Sequence, residues 1–149
     1  MTSSIKDRFK TNSRLASEGV NIRFSNLKNS DGTIPSFKIT RSSGQNKKWL
    51  EDCRRINNKY LADKGVTELK DLSPEQVREI NVISFCESVL VGWENFEPEN
   101  DGVKLQYSKE NAMKLFGNDD WRDFMDELTF QSNNIENFKA KLVEDITKN

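Results

Sequence analysis

Ser73–Trp93, SPEQVREINVISFCESVLVGW, is the stretch on which the fold turns. It opens with a strong helix start. The Ser73 side chain can accept from the backbone N–H of Gln76, Gln76 can reach back, and Pro74 sits where its missing donor is harmless. Behind that start Val77, Ile80, Ile83, Cys86, Val89, Leu90 and Trp93 recur at helical spacing, and Val82, Phe85 and Val91 widen the stripe. The pattern predicts a helix running to about Gly92, apolar around more than half its circumference and therefore the most buried element of the chain.

Working back toward the N-terminus, Trp49, Leu50, Cys53, Ile56, Tyr60 and Leu61 also fall at helical spacing, between Asn46 and about Ala62. Gly65 stops that helix, and Val66–Leu72 reads as a linker. Further back, Val20, Ile22 and Phe24 alternate with polar residues, as do Phe37 and Ile39, on either side of a turn-rich stretch from Ser25 to Pro35. This is a β-hairpin with a longer than minimal loop. Residues 1–18 are polar and basic and read as a flexible arm.

Working forward, Pro98 and Asp101-Gly102 mark a loop, and Ser108 is a fitting N-cap for a short helix stopped by Gly117. A further helix carries Trp121, Phe124, Met125 and Leu128 at core spacing. A last one, starting at Asn133 or Asn134, carries Ile135, Phe138, Leu142, Val143 and Ile146. The expected class is α+β, mostly α-helical. A hairpin over 19–41 precedes about five helices over 46–149, and residues 19–149 form one compact domain. Trp49, Cys86, Trp93, Trp121, Phe124 and Phe138 are the expected structural residues.

A chain of 149 residues is the usual size of one domain and buries roughly 70% of its unfolded surface. It has no apolar run of the length a membrane span needs, and MTSSIKDRFK has no apolar core of a secretory signal. The two cysteines, Cys53 and Cys86, lie in different predicted helices and read as reduced core thiols. There is no histidine, which removes the commonest general base and metal ligand together. The net charge of −1 hides a split: residues 1–60 carry 13 Lys and Arg against 5 Asp and Glu, and the remainder is acidic.

The carboxylates do not assemble into a reaction centre. Asp119, Asp120, Asp123, Asp126 and Glu127 occupy the first turns and outer face of a predicted helix, where the dipole favours them. Asn100-Asp101-Gly102 lacks the ligand pattern of a calcium loop, and no nucleophile elbow, phosphate-cradling loop or CxxC pair is present. The expectation is a protein without catalytic residues, cofactor or metal, working by binding. Two surfaces are candidates. Phe96, Tyr107 and Phe130 lie near helix ends and loops and form the first, a partly exposed aromatic patch. Lys47, Lys48, Arg54 and Arg55 line the basic face of the Asn46–Ala62 helix and form the second. Nucleic acid is the less favoured partner for that face, since no aromatic interleaves the charges and the second half would repel phosphate.

The order of parts after Val82 resembles the small tail assembly chaperones of long-tailed bacteriophages. The residues that carry the likeness are Trp93-Glu94, Asp101-Gly102, Tyr107-Ser108-x-Glu110-Asn111-Ala112, Trp121-Arg122-Asp123-Phe124 and Glu136-Asn137-Phe138. A looser match, Glu18-Gly19-Val20 followed by a second strand and a basic helix, extends it to about residues 9–147. The loop 25–35 is longer than that family leads one to expect, and Gly102 lacks the usual proline-bearing turn after it. The resemblance implies a protein that coats the tape-measure protein, keeps its apolar helices soluble, and leaves as tail tube subunits arrive. It implies action in the host cytoplasm, absence from the mature virion, and self-association. A structural or adaptor protein retained in the tail is the alternative.

Overall fold

The computed structural model describes residues 4–139 and 144–149. Its helices are α1 (Ile5–Phe9), α2 (Ser13–Glu18), α3 (Lys47–Lys64), α4 (Pro74–Ser84), α5 (Lys109–Phe116) and α6 (Arg122–Asn133). Its strands are β1 (Val20–Phe24), β2 (Ser36–Ile39), β3 (Leu90–Glu94) and β4 (Asp145–Lys148). The class is α+β and mostly helical, as the sequence predicts.

The hairpin forms as its alternation requires: β1 and β2 are antiparallel, with Val20 opposite Ile39 and Ile22 opposite Phe37. Gly19 enters it at φ +99°, where a Cβ would come within 2.9 Å of the Ile39 carbonyl oxygen, so glycine is required there. The hairpin is the centre of a larger sheet ordered β3-β2-β1-β4. Both outer strands come from stretches whose sequence reads as helix.

The first correction concerns Ser73–Trp93. The helix starts as predicted, with Ser73 and Gln76 forming a reciprocal capping box and Pro74 in the first turn. It remains α-helical only to Ser84. One π-helical turn, Phe85–Val89, then leads directly into β3. Val89-Leu90-Val91-Gly92-Trp93 is continuously apolar, and such a run has no period that separates a buried strand from a buried helix. The open side of β2 decides it, pairing Phe37 with Trp93 and Lys38 with Gly92 across a bulge near Ile39. The Thr40 hydroxyl donates to the Ser88 carbonyl at 2.7 Å, satisfying a backbone group of the π turn. Val91 and Val77, both read as inward, are instead exposed.

The second correction concerns the chain's end. Ile135–Phe138 is a single 3₁₀ turn, and Asp145–Lys148 lies parallel to β1 with Ile146 beside Ile22. Leu142 and Val143, assigned to a last helix by spacing, fall outside the described residues. In place of that helix, β1 offers an unpaired edge and the β-branched pair Ile146-Thr147 fills it.

The polar lead-in is likewise not uniformly solvated. No side chain of α1 is buried, but Leu15 and Ala16 of α2 are. The side chain of Asn12 caps α2, accepting from the N–H groups of Arg14 and Leu15.

One face of the sheet carries Val20, Ile22, Phe24, Phe37, Ile39 and Trp93 into the main core, where Phe85, Cys86, Ala112, Phe116, Leu128 and Phe138 meet them. A separate small cluster, Ile56, Tyr60 and Ile80 with Leu72 and Ile83 against it, joins α3 to α4. The two regions are clasped by polar contacts. The Ser88 hydroxyl donates to Asp52 at 3.2 Å, and Arg55 reaches Glu87 at 3.4 Å.

Candidate functional site

Trp93, Cys86 and Phe138 are buried as the sequence predicts, whereas Trp49, Trp121 and Phe124 are half-buried at the edge of the core. The two free thiols differ. Burial pushes the Cys86 thiol up to about 12, so it stays protonated and inert. Cys53 is half-buried and is raised by burial and then by neighbouring Asp52.

The three residues of the expected aromatic patch part company. Phe130, on α6, is 62% exposed as anticipated. Tyr107 is half-buried, its ring against Trp93 and its hydroxyl donating to the Leu90 carbonyl at 3.3 Å. Phe96 is a correction: it is only 5% exposed. Asn95 adopts φ +57° immediately before it. Phe96 then packs edge-on against Phe37 at 5.0 Å, Trp93 at 5.2 Å and Trp121 at 5.7 Å.

The basic face of α3 is partly neutralised from within. Lys48 bonds Asp52 at 2.8 Å, Lys59 bonds Asp63 at 2.8 Å, and Arg55 lies near both Asp52 and Glu87. Lys47 and Arg54 are exposed and make no ion pair among the described residues. A helix whose cations are half spent on its own acids is a weak attractant for a polyanion.

What the aromatic residues build instead is a cleft of ≈ 420 Å³ between the hairpin loop and the start of α6. Phe37, Phe96, Trp121 and Phe124 form its floor. Asn26, Leu27, Lys28, Asn29 and Pro35 make one wall, Glu97 and Pro98 a second, and Asp120 closes the rim. Leu27 is 42% exposed on that wall.

The walls are fixed before any ligand arrives. The buried Glu97 carboxylate accepts from the Ser30 N–H at 3.1 Å and the Ser30 hydroxyl at 2.8 Å. Asn29 donates to the Asn95 carbonyl at 2.7 Å, and its own oxygen accepts from the Glu97 N–H. Lys104 donates to the Asn95 side chain at 2.7 Å. At the loop tip the Asp31 carboxyl is held below its usual range, chiefly by the Thr33 hydroxyl and N–H. A loop of eleven residues is thereby stapled to the 95–97 turn, which lowers the ordering cost of binding.

This wall was not anticipated. Leu27 stands alone among polar residues, with no period to assign it a face. The available signal was the excess length of a hairpin loop that also carries an isolated large apolar residue. A second hollow, of ≈ 560 Å³, lies between α3, the π turn and α6, with Trp49, Cys53, Asn57, Asn81 and Asn133 on its walls.

Among the described residues no group of His, Cys, Asp and Glu is placed to hold a metal ion, and no helix is long and apolar enough to cross a membrane. Fold and cleft together define a small α+β protein with a preformed apolar cleft. The chain belongs to the YdaY prophage protein family, whose sequence model matches residues 44–149, and it is thus of phage origin. No curated protein and no solved structure matches it. The matched segment holds the two edge strands β3 and β4, while the central strands β1 and β2 lie before it.

Proposed function

We propose that this prophage protein is a non-enzymatic tail assembly chaperone, which keeps amphipathic helices of the tape-measure protein soluble in the host cytoplasm and releases them as tail tube subunits arrive. The observation that carries the reading is the preformed cleft floored by Phe37, Phe96, Trp121 and Phe124. An apolar floor with a polar rim is the form of site that accepts one face of an amphipathic helix. Its one buried carboxylate, Glu97, is spent on Ser30 and holds the wall. Many copies along one filament would hold by avidity even where each contact is weak. Family membership supplies the phage setting. The tape-measure partner rests on the sequence resemblance.

Co-expression with the tape-measure protein of the same phage tests this. The expected result is a soluble complex that co-purifies, and that Leu27→Glu abolishes while the chaperone's melting temperature stays the same. A tape measure that remains insoluble, with no complex, would overturn the reading. So would stoichiometric amounts of the protein in finished virions, which would mark it as a structural part of the tail.

A further inference from the structure

The two most exposed large apolar side chains among the described residues sit together on α1: Ile5 at 81% and Phe9 at 65%. Spaced i and i+4, they share one face of the helix. Their surroundings are basic, with Lys6, Arg8 and Lys10 against Asp7 alone, and none of the four is ion-paired among the described residues. A five-residue helix that buries nothing is too short to hold itself together in water, because nucleation costs more than one turn returns. Such a segment needs a surface to lie on.

The cleft offers one of matching character. Its floor is aromatic, and its charged lining consists of Lys28, Glu97 and Asp120. Asp119 and Asp123 lie on either side of Asp120 at the start of α6; Asp119 pairs with Arg122 at 3.5 Å and lies near Arg78, and Asp120 and Asp123 leave that corner an acidic excess. The two surfaces lie toward opposite ends of β1, and Ile5 and Phe9 stay exposed rather than entering the cleft of their own chain. The root of the arm is tied at the entry to β1, where Thr11 bridges Lys139 and the Asn12 N–H donates to the Phe138 carbonyl at 2.7 Å. The cleft lies past the exit of β1, beyond Phe24. A β-strand of five residues separates them by roughly 13 Å, more than the arm spans as long as it stays helical at about 1.5 Å per residue.

From this juxtaposition we infer that α1 seats Ile5 and Phe9 in the aromatic cleft of a second copy of the chain, and that two copies exchange arms reciprocally. Reciprocity matters energetically. Two side chains on one arm return little against the freedom lost on association, but once one arm is seated the second binds at high effective concentration. The resulting contact is two-fold symmetric and closes on itself. The same arm would cover the apolar floor while no client is bound. The inference rests on the proposed function only in treating the cleft as a binding surface.

Sedimentation equilibrium of the full chain tests it. The expected result is a monomer–dimer equilibrium that the double variant Ile5→Ser/Phe9→Ser weakens by about 100-fold or more, with melting unchanged. Leu27→Glu should do the same from the cleft side. Mixing the two variants is the decisive step, because one intact arm then meets one intact cleft. Amide shifts in the ¹⁵N-labelled arm variant, added to unlabelled Leu27→Glu chain, should map to the 26–29 and 96–98 walls and the Trp121 indole. A wild-type chain that stays monomeric, a dimer that survives the arm variant, or a mixture without those shifts would each overturn the inference. A chain that exchanges arms yet fails to capture the tape measure would leave this inference standing and remove the proposed function.

Discussion

The sheet with the helices packed on it and the α3–α4 pair draw on similar residue types but close them very differently. In the first, rings interlock around Phe37, which meets Phe96 at 5.0 Å and Phe124 at 5.1 Å, while Phe116 meets Phe85 at 5.0 Å. Some of the polar groups trapped there are answered: Asn137 donates to both the backbone and the side-chain oxygen of Gln131, and Ser132 donates to the Thr40 carbonyl. In the second, three buried residues suffice, and Leu50, Leu69 and Val77 stay exposed around them. The contrast places the densest ring packing where the cleft is and leaves the outer part of the α3–α4 pair on a small apolar seam, with Trp49 and Val82 packing into the main core and a polar clasp between them. A cleft floored by core residues is preorganised by the same packing that stabilises the fold.

The largest test of that contrast is Phe37→Ala. Phe37 is 1% exposed and belongs to both the core and the cleft floor. Its loss should cost about 3–5 kcal/mol, read as a lowered denaturant midpoint, and should abolish binding in the cleft together with stability. A cost near that of a surface substitution would show that the aromatic cluster is not the stabilising centre. Ile80→Ala probes the other region. Ile80 is 5% exposed in a seam bordered by solvent, where neighbours can close over the gap, so about 2 kcal/mol is expected. Hydrogen exchange should rise over the C-terminal half of α3 and the first turns of α4 while β1 and β2 stay protected. Equal acceleration in the sheet would mean that the two regions unfold as one unit.

The same contrast explains what could be read in advance. Features set by neighbours along the chain were legible: the β1–β2 alternation, the Ser73–Gln76 capping box, and the N-cap Ser108, which accepts from Asn111. Features set by a partner distant in sequence were not. Leu90–Glu94 is a strand because β2 has an open edge, and Asp145–Lys148 because β1 does, and neither edge is visible from the segment itself. Phe96 illustrates this for the site. Its aromatic character marked it for binding, but its burial depends on a positive-φ turn at Asn95 and on three rings from other elements. Leu27 became a wall of the cleft only because Glu97, from a different loop, holds the Ser30 turn in place.

The joint between the regions gives the smallest effect and the one with a pH signature. Asp52 sits on α3 with its side chain 17% exposed. Burial alone would push its carboxyl up, but the Lys48 hydrogen bond and charge, the Ser88 hydroxyl and the Arg55 charge outweigh burial and hold it below its usual value. A carboxyl whose folded pKa is depressed contributes stability above its unfolded pKa and loses it as pH falls through the folded one. Asp52→Asn keeps an oxygen for Ser88 and removes the charge, so it should cost about 1 kcal/mol at pH 7. That difference should shrink below about pH 4 as the wild-type carboxylate protonates. Measured as the gap between two urea-unfolding curves across pH, a constant gap would show that Asp52 acts through shape or hydrogen bonding alone. A gap that closes in acid, with exchange protection lost in α3 before the sheet, would show that charge at this clasp helps hold the α3–α4 pair to the main core.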